Sequence, residues 1–344
     1  MNNGTKITQL TLFGDTIVIV DPKEVILEKK IERAIRLLQS AEKMASRGGQ
    51  PLEICYSGGK DSDVVLELAR MAGISFRAIY KNTTIDPPGT IKHCKDNGVE
   101  IVRPKTDFFG IIRQKGFPTF FRRFCCDVLK EYKILDNAVQ GIRRTESTKR
   151  AARYKADEPV ICRIYGSKKN HVNVVLPILT WTDEDVEKFV ELRGIKCHPL
   201  YYDKQGRFDV HCRLGCMGCP LPYDRSIDDF KQRPALVRAW LRNGQIWWDT
   251  HKLKRLKKKY RSIYELFVGN MFFSSYKDFR RWQQNPLFGE VDCRKYIMDY
   301  FKIDLPDLTT EPPPPTRRKL ADDIARTVIR QMTAKEDGND VAEA

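Results

Sequence analysis

The 344-residue chain predicts an α/β fold: a parallel sheet flanked by helices, followed by a helical, basic C-terminal extension. Three observations carry that expectation. From residue 52 onward strand-like and helix-like patterns alternate, as they do where parallel strands are joined by crossover helices. A glycine-rich turn stands between the first of these strands and the first of these helices. Hydrophobic residues make up 41% and aromatic residues 10% of the chain, enough to build a core and to exclude wholesale disorder. No run of about 18 apolar residues occurs, and the first residues have no signal-peptide pattern. A soluble cytoplasmic protein with no membrane partner is expected.

Residues 1–50 read as N-terminal strands and a helix. Residues 5–13 and 15–21 form two short strands around the turn signal Gly14-Asp15, and residues 22–46 carry a helical period through Val25, Ile26, Ile31, Ile35, Leu37 and Leu38. Gly48-Gly49-Gln50-Pro51 stops that helix. Then come a strand at 52–56, a helix at 62–72, a strand at 76–80, a turn at Asp86-Pro87-Pro88-Gly89, a helix at 90–97 and a strand at 99–104. One helix rich in aromatics and arginines leads to Cys125-Cys126, and another leads to Gly141-Ile142-Arg143-Arg144. Residues 172–179 are a strand. Thr182 to Asp185 opens a helix in the manner of a capping box, and Gly194 closes it. Residues 226–308 form the helical extension, with the basic run His251 to Arg261 and the tryptophans Trp240, Trp247, Trp248 and Trp282. Residues 309–344 comprise a stiff linker at Pro312 to Pro315 and a tail with one amphipathic stretch, Leu320, Ile324, Val328 and Met332.

Lys and Arg number 61 against 45 Asp and Glu, a net charge of +16 that favours an anionic partner, although a solvated basic surface would have the same composition. Ten cysteines, two of them adjacent and three crowded between Cys212 and Cys219, point in a reducing compartment to metal or redox chemistry rather than to disulfides.

The strongest motif is Ser57-Gly58-Gly59-Lys60-Asp61-Ser62. Glycines let backbone amides converge on an anion, the following helix presents its positive end, and Lys60 and the serine hydroxyls add donors. That geometry suits a nucleotide phosphate. A Walker A loop would need Gly at Ile54 and Ser or Thr at Asp61, so this is a different loop. Asn82, Thr83 and Asp86 follow the second strand, where open α/β sheets place ligands.

The form Ser-Gly-Gly-Lys-Asp-Ser resembles the loop of the PP-loop ATP pyrophosphatase superfamily, the adenine nucleotide alpha-hydrolase-like fold. The resemblance implies an adenine nucleotide attacked at its α-phosphate. Later segments extend it over about residues 50–225 to the phosphoadenylyl-sulfate and adenylyl-sulfate reductase branch. Pro177 to Val186 is similar to that branch's Pro-Leu-x-x-Trp-Thr-x-x-Asp-Val segment, and Pro199-Leu200-Tyr201 follows as its Pro-Leu-Tyr does. Gly141 to Ser147 with Arg150 resembles its basic substrate-binding segment; by composition alone such arginines could equally be a solvated helix face. Cys125-Cys126 with Cys216-Met217-Gly218-Cys219 is similar to the ligand set of cluster-containing adenylyl-sulfate reductases, which implies a 4Fe-4S cluster. A structural zinc site and unliganded buried cysteines stay open on the residues alone. Cys212, Cys216 and Cys219 also spell the C-x3-C-x2-C spacing of radical S-adenosylmethionine enzymes, but they lie deep in the chain after a complete loop. His198, His211 and Cys212 are read as neighbours of the ligands.

The resemblance breaks at the reductase nucleophile. Sulfonucleotide reductases use a cysteine in a Glu-Cys-Gly-[Ile/Leu]-His segment, which is not found here; the last cysteine, Cys293, stands in Val-Asp-Cys-Arg-Lys-Tyr and reads as structural. The chain is thereby more similar to Dnd-type sulfur-transfer proteins of DNA phosphorothioation and to cluster-dependent tRNA thiolases, and the basic, aromatic segment 226–300 suits a nucleic acid through lysine charge and base stacking.

The expectation is therefore a PP-loop domain over 51–225 that binds ATP, or a sulfated adenine nucleotide (PAPS or APS), with Mg²⁺. Ser57, Gly58, Gly59, Lys60, Asp61, Ser62, Asn82, Thr83, Asp86, Gly141, Arg143, Arg144 and Arg150 form the nucleotide site. Lys60, Asp61 and Ser62 do the chemistry, Asp61 orients the metal, and Arg143, Arg144 and Arg150 face a second anionic group. Cys125, Cys126, Cys216 and Cys219 hold the cluster. The implied reaction cleaves ATP to AMP and pyrophosphate to activate a substrate for sulfur transfer on nucleic acid, with a sulfur-donor protein and a second copy of the chain as further partners. Two other classes stay in play: a sulfonucleotide reductase that releases sulfite, and a non-catalytic nucleotide-sensing or nucleic-acid-binding module.

Overall fold

Strand-loop-helix units assemble into one six-stranded sheet. The structure is a computed structural model that describes residues 8–12, 15–19, 22–165, 170–221, 223–285 and 289–305. The expected linker at Pro312 to Pro315, the stretch Leu320 to Met332 and the turn residue Gly14 lie outside these residues. The chain divides into two compact units between Leu236 and Val237. Among the described residues no helix is long and apolar enough to cross a membrane.

The first unit opens with β1 (Thr8–Leu12) and β2 (Asp15–Ile19), an antiparallel pair, followed by α1 (Pro22–Arg47). Buried residues of α1 recur as Leu27, Ile31, Ala34, Leu38, Ala41 and Ala45. Of the expected period, Ile31 and Leu38 are buried and Val25, Ile35 and Leu37 half-buried, while Ile26 is exposed and Leu27 takes its place on the buried face. Then follow β3 (Leu52–Tyr56), α2 (Lys60–Met71), β4 (Phe76–Lys81), α3 (Thr90–Asp96), β5 (Glu100–Val102), α4 (Phe108–Lys115) and α5 (Phe124–Leu129). Next come β6 (Asn137–Val139), a 3₁₀ turn at Arg144–Glu146, α6 (Thr148–Arg153), β7 (Val160–Tyr165), β8 (Asn170–Val175), α7 (Asp183–Arg193), a second 3₁₀ turn at Pro199–Tyr201 and α8 (Tyr223–Gln232).

Two expectations are corrected here. The segment before Gly141 is the strand β6 rather than a helix: Ala138 and Val139 are buried, and the three residues insert between β3 and β8, so tertiary pairing overrides a local pattern too short to decide. The segment 172–179 is strand only as far as Val175, and Pro177 lies in the turn that follows. The edge strand β7 alternates exposed and half-buried residues up to the buried Tyr165, a pattern too weakly apolar to predict a strand from sequence.

The strand order is β5-β4-β3-β6-β8-β7, parallel throughout except for β7, which pairs antiparallel with β8 at the edge. From β3 the chain first builds outward through β4 and β5, then returns to build the other way through β6 and β8. The boundary between β3 and β6 is therefore the topological switch point, the place where loops leaving the strand ends diverge and open a crevice. Leu52, Ile54 and Tyr56 of β3 point into the larger core with α1 and α2, while Glu53 and Cys55 face the opposite side.

At α7 the expected capping box is present: Thr182 Oγ1 accepts from Asp185 N at 3.2 Å, Asp185 Oδ2 accepts from Thr182 N at 2.7 Å, and Gly194 ends the helix in the left-handed conformation. Lys30 of α1 pairs with the same Asp185 at 2.5 Å. Trp181, just before the cap, is 1% exposed and packs edge-on against Phe189.

The second unit is helical, as expected. It begins within α9 (Pro234–Thr250) and continues through α10 (Lys254–Lys259), α11 (Ile263–Phe272) and α12 (Tyr276–Gln283), then the short antiparallel pair β9 (Gln284–Asn285) and β10 (Gly289–Glu290), and α13 (Cys293–Phe301). Ile263, Phe267, Val268, Phe279 and Ile297 are fully buried. Glu265, also buried, accepts from Arg261 Nε at 2.7 Å and from Gln283 Nε2 at 2.8 Å. Cys293 is buried in this unit, its thiol pushed up to about 12 by burial and by Glu265 and Asp292, which fits the structural role expected of it.

Candidate functional site

The loop Ser57 to Ser62 leaves β3 at the switch point and turns into α2. Gly58 takes φ +77°, a conformation closed to most side chains, and a Cβ there would meet Thr90 Cγ2 at 3.1 Å and Leu214 Cδ2 at 3.3 Å. Ser62 Oγ donates to Gly59 O at 2.7 Å and lies 3.2 Å from Ser57 Oγ, so the serine hydroxyls brace the turn from within. Helix α2 starts at Lys60, two residues earlier than its apolar pattern suggests, which places the loop directly on its positive end. Lys60 is buried, 3.3 Å from Asp61 Oδ2, with its ammonium 5.4 Å from the centre of the Tyr201 ring. The Tyr201 hydroxyl accepts from Leu214 N at 3.2 Å, and burial pushes its pKa up to about 12.

Across the crevice, the turn after β6 touches the loop. A Cβ at Gly141 would stand 2.7 Å from the carbonyl oxygen of Asp61, so only glycine allows this approach without a shift. Arg143 is 1% exposed; its Nε donates to Asp61 Oδ1 at 2.6 Å, and its Nη2 donates to Asp183 Oδ1 at 2.8 Å. The arginine thus holds the loop to the head of α7. Both Asp61 oxygens face cations, Oδ1 toward Arg143 and Oδ2 toward Lys60. Arg144 reaches Ala151 O at 3.3 Å, while Arg150 pairs with Glu146 and lines the crevice.

After β4, Asn82 Oδ1 accepts from Thr84 N at 2.7 Å in a tight turn that holds Thr84 at φ +64°. Asp86 accepts from Thr83 N at 3.0 Å and from the Tyr80 hydroxyl. Behind the loop a buried polar network links it to α3. Asp63 of α2 accepts from the Tyr56 hydroxyl and lies 3.0 Å from His93 Nε2, and His93 meets the ring of His198 edge-on at 5.8 Å. Burial holds the Asp63 carboxyl above its ordinary pKa, and burial together with His93 holds His198 below its own.

These elements enclose a cavity of about 540 Å³. Ser57, Gly59, Lys60, Asp61 and Gly141 form one side of it, and Cys125, Cys126, Cys216 and Cys219 all open onto it. Four cations (Lys60, Lys130, Arg150 and Arg213) and two carboxylates (Asp61 and Glu146) line it, an excess of positive charge that suits a polyanion. Arg213, whose Nη2 donates to Glu146 O at 2.8 Å, and Lys130 carry no signal in the sequence, since neither belongs to the glycine loop or to the arginine cluster after β6. Gly58, Ser62, Asn82, Arg143 and Arg144 lie outside its lining, Thr83 reaches it, and Asp86 lines an adjoining cavity of about 250 Å³ together with Ser57 and Thr83.

The thiols come from two segments ninety positions apart. Cys125, its neighbour, holds the Cys126 thiol below its ordinary value, against burial and with help from Lys130 and Arg123. Cys216 Sγ lies 3.5 Å from Thr83 Oγ1, with the Lys130 ammonium in hydrogen-bonding reach, and burial raises both Cys216 and Cys219. In kind, four thiols on one wall suit a thiolate-held iron-sulfur cluster. Among the described residues no group of three or more His, Cys, Asp or Glu side chains is arranged to hold a metal ion.

A glycine loop on a helix end, facing a second loop at the switch point of a parallel sheet, defines an α/β protein of the class that places ligands in such a crevice. The chain belongs to the phosphoadenosine phosphosulfate reductase domain family, whose sequence pattern matches residues 51–222. It is similar to an uncharacterized protein of Methanocaldococcus jannaschii, 27% identical over 232 residues that cover 62% of this chain and 53% of that protein. It is also similar to an uncharacterized 37.8 kDa protein of Escherichia phage 186, 30% identical over 209 residues that cover 52% of this chain and 58% of that one. The chain thus spans a little over half the length of the curated relatives it matches. Among solved structures it is similar to phosphoadenylyl-sulfate reductase from Candida auris, at 13% identity and a TM-score of 0.35 over 53% of this chain and 92% of that one. Others are Candida glabrata FMN adenylyltransferase (15%, 0.37, 52% and 59%) and the U34-tRNA thiolase of Methanococcus maripaludis with its [4Fe-4S] cluster (16%, 0.36, 66% and 82%).

Proposed function

We propose that the protein is a PP-loop adenine-nucleotide enzyme that cleaves ATP to AMP and pyrophosphate and so activates a nucleic-acid acceptor for sulfur transfer. One observation carries the reading: the phosphate loop and the four cysteines open onto the same cavity. A nucleotide held by the loop would lie in reach of sulfur chemistry without leaving the site.

The amides at the head of α2, with Lys60, neutralise the β and γ phosphates and make pyrophosphate a better leaving group. Arg143 fixes the Asp61 carboxylate, so the loop is preorganised rather than ordered by substrate. An acceptor oxygen attacks the α-phosphorus, the bond to the β-phosphate oxygen breaks and pyrophosphate departs. A sulfide-level nucleophile then displaces AMP, so that the acceptor exchanges oxygen for sulfur with no net redox change. Arg150 and Arg213 hold the acceptor or the α-phosphate as a second anionic group. Mg²⁺ would bind the phosphates and, on exchange for Lys60, the Oδ2 side of Asp61. Cys125, Cys126, Cys216 and Cys219 would hold a 4Fe-4S cluster, which supplies a site for bound sulfur.

A second reading, sulfonucleotide reduction, is favoured by the family to which the chain belongs. It needs a thiolate to attack sulfur, and the buried Cys293 thiol, held up to about 12, is poorly suited to that. The two readings separate on anaerobic incubation of the whole chain with ATP, adenylyl sulfate or phosphoadenylyl sulfate, each with Mg²⁺ and a thiol reductant. AMP and pyrophosphate from ATP alone are expected. Sulfite from either sulfated nucleotide would replace the proposal with the reductase, and nucleotide binding with no product would leave a sensing module.

A further inference from the structure

Resting on the nucleic-acid acceptor proposed above, we infer that the hairpin tip Phe120-Phe121 is the platform on which an unstacked base of a single-stranded nucleic acid docks beside the cavity.

Hydrophobic side chains of this size are normally covered. Phe121 is 87% exposed and Phe120 45%, the only aromatic side chains among the large hydrophobic residues exposed in the described part of the chain. Their position is built rather than loose. Thr119 and Arg122 exchange backbone hydrogen bonds at 3.2 and 3.1 Å, a two-residue turn that leaves both rings at its tip. Phe117 and Pro118 are buried on one side and α5 begins at Phe124 on the other, so the tip is anchored at both ends. The two rings stand edge to face, 5.2 Å apart at 85°.

The surroundings specify the partner. Lys149 Nζ lies 5.0 Å from the centre of the Phe120 ring, and Lys115 and Arg122 lie 5.7 and 5.9 Å from that of Phe124. With Arg123 they make four exposed cations around the tip, and among the described residues none of the four is ion-paired. Rings that offer a face, interleaved with uncompensated cations, match bases and phosphates. A protein-binding patch would instead be broader and depleted of charge at its centre. A duplex hides its base faces, so the matching form is a single strand or an extruded nucleotide.

The platform also adjoins the chemistry. Pro118, Cys125 and Cys126 line the cavity, and so does Arg150, the neighbour of Lys149. A base held on the tip therefore sets the register of the strand, and the adjoining nucleotide lies at the cavity mouth. In the extension 226–300, where the sequence predicts stacking aromatics, Trp240, Trp247 and Trp248 are buried and Trp282 is half-buried, so that segment offers charge rather than open rings.

Fluorescence anisotropy tests this with the whole chain and end-labelled RNA and DNA single strands of about twelve mixed-sequence nucleotides. Single strands should bind at least about tenfold tighter than the same sequences as duplexes. Phe120→Ala with Phe121→Ala should weaken single-strand binding about tenfold or more, and Phe121→Trp should retain it. Replacing Arg122 and Lys149 by Gln should lower the slope of log affinity against log salt by roughly one to one and a half. The double alanine variant removes solvent-exposed rings, and matching circular dichroism with the Trp variant guards against misfolding.

Double-alanine binding within about twofold of wild type, equal binding of duplex, or a loss shared by Phe121→Trp would overturn the platform. So would a wild type that binds no single strand while the substitutions alter only its association with a protein. Pyrophosphate release from ATP by the wild type is scored separately. Its absence counts against the reaction proposed above, and ring-dependent strand binding then stands by itself; its presence with ring-independent binding removes the platform alone.

Discussion

Lys60 concentrates the site at the residue scale. It is buried at the head of α2, where its ammonium is held between Asp61 and the Tyr201 ring. If the chain cleaves ATP as proposed, Lys60→Ala should lower pyrophosphate release by about 10²–10³ while circular dichroism stays unchanged, because a cation lost from this position would no longer offset charge that develops in the transition state. Turnover within threefold of wild type, by the same assay, would remove Lys60 from the chemistry. Behind the loop His198 makes a pH prediction. Burial and His93 hold its folded pKa below 6.5, so the unfolded chain binds the proton more readily. The stability contributed by neutral His198 is complete above about pH 6.5 and is lost as pH falls through the folded pKa. Asp63, held above its ordinary value, acts with the opposite slope: its contribution is present at low pH and fades as pH rises past 3.8. The difference between proteins isolates the histidine. His198→Gln should flatten the fall in melting temperature between about pH 7.5 and pH 5.5, and an unchanged slope would reject the assignment.

Between elements, the approach of the β6 turn to the phosphate loop is the contact on which the crevice depends. Gly141→Ala would set a methyl 2.7 Å from the Asp61 carbonyl oxygen, and no flexible side chain is there to yield. Chemical denaturation should show a loss of about 1–3 kcal/mol, and ATP cleavage should fall about a hundredfold as the loop is displaced. If both stay at wild-type values, the crevice is more forgiving than its geometry indicates. The same contact explains Arg143. In sequence it reads as one of a cluster of anion-binding arginines, but in the fold it is fully buried between Asp61 and Asp183 and acts by positioning the loop. Arg150 and Arg213, which do line the cavity, keep the part open to a ligand.

Across the whole molecule, the cavity joins segments from the first β-strand of the sheet to the cysteine loop before α8. If its thiols hold the cluster proposed for them, the chain purified without oxygen should contain about four iron atoms and four acid-labile sulfides. Cys216→Ser or Cys125→Ala should cut the iron by at least about half and lower sulfur transfer, with ATP binding kept. Metal analysis that finds zinc in stoichiometric amount, or iron indifferent to both substitutions, would set the cluster aside.

The residues by themselves determined what depends on near neighbours in the chain. The strand-loop-helix around Ser57 to Ser62 was legible because glycines, a lysine and the adjoining apolar patterns all lie within about twenty positions. Thr182, Asp185 and Gly194 announced both ends of α7 for the same reason. Pairings across long separations were decided only by the tertiary structure. The strand β6 has three residues and no periodicity worth reading, and its state is set by β3 and β8 on either side. Arg143 turned from ligand-facing to buried because carboxylates from α2 and α7 converge on it. Trp240, Trp247 and Trp248 of the extension went inward, and a two-residue turn left Phe120 and Phe121 outside. Local chemistry is written in consecutive residues. Which of them meet, and which face water, follows from the burial of the whole chain, a cooperative property that no short segment contains.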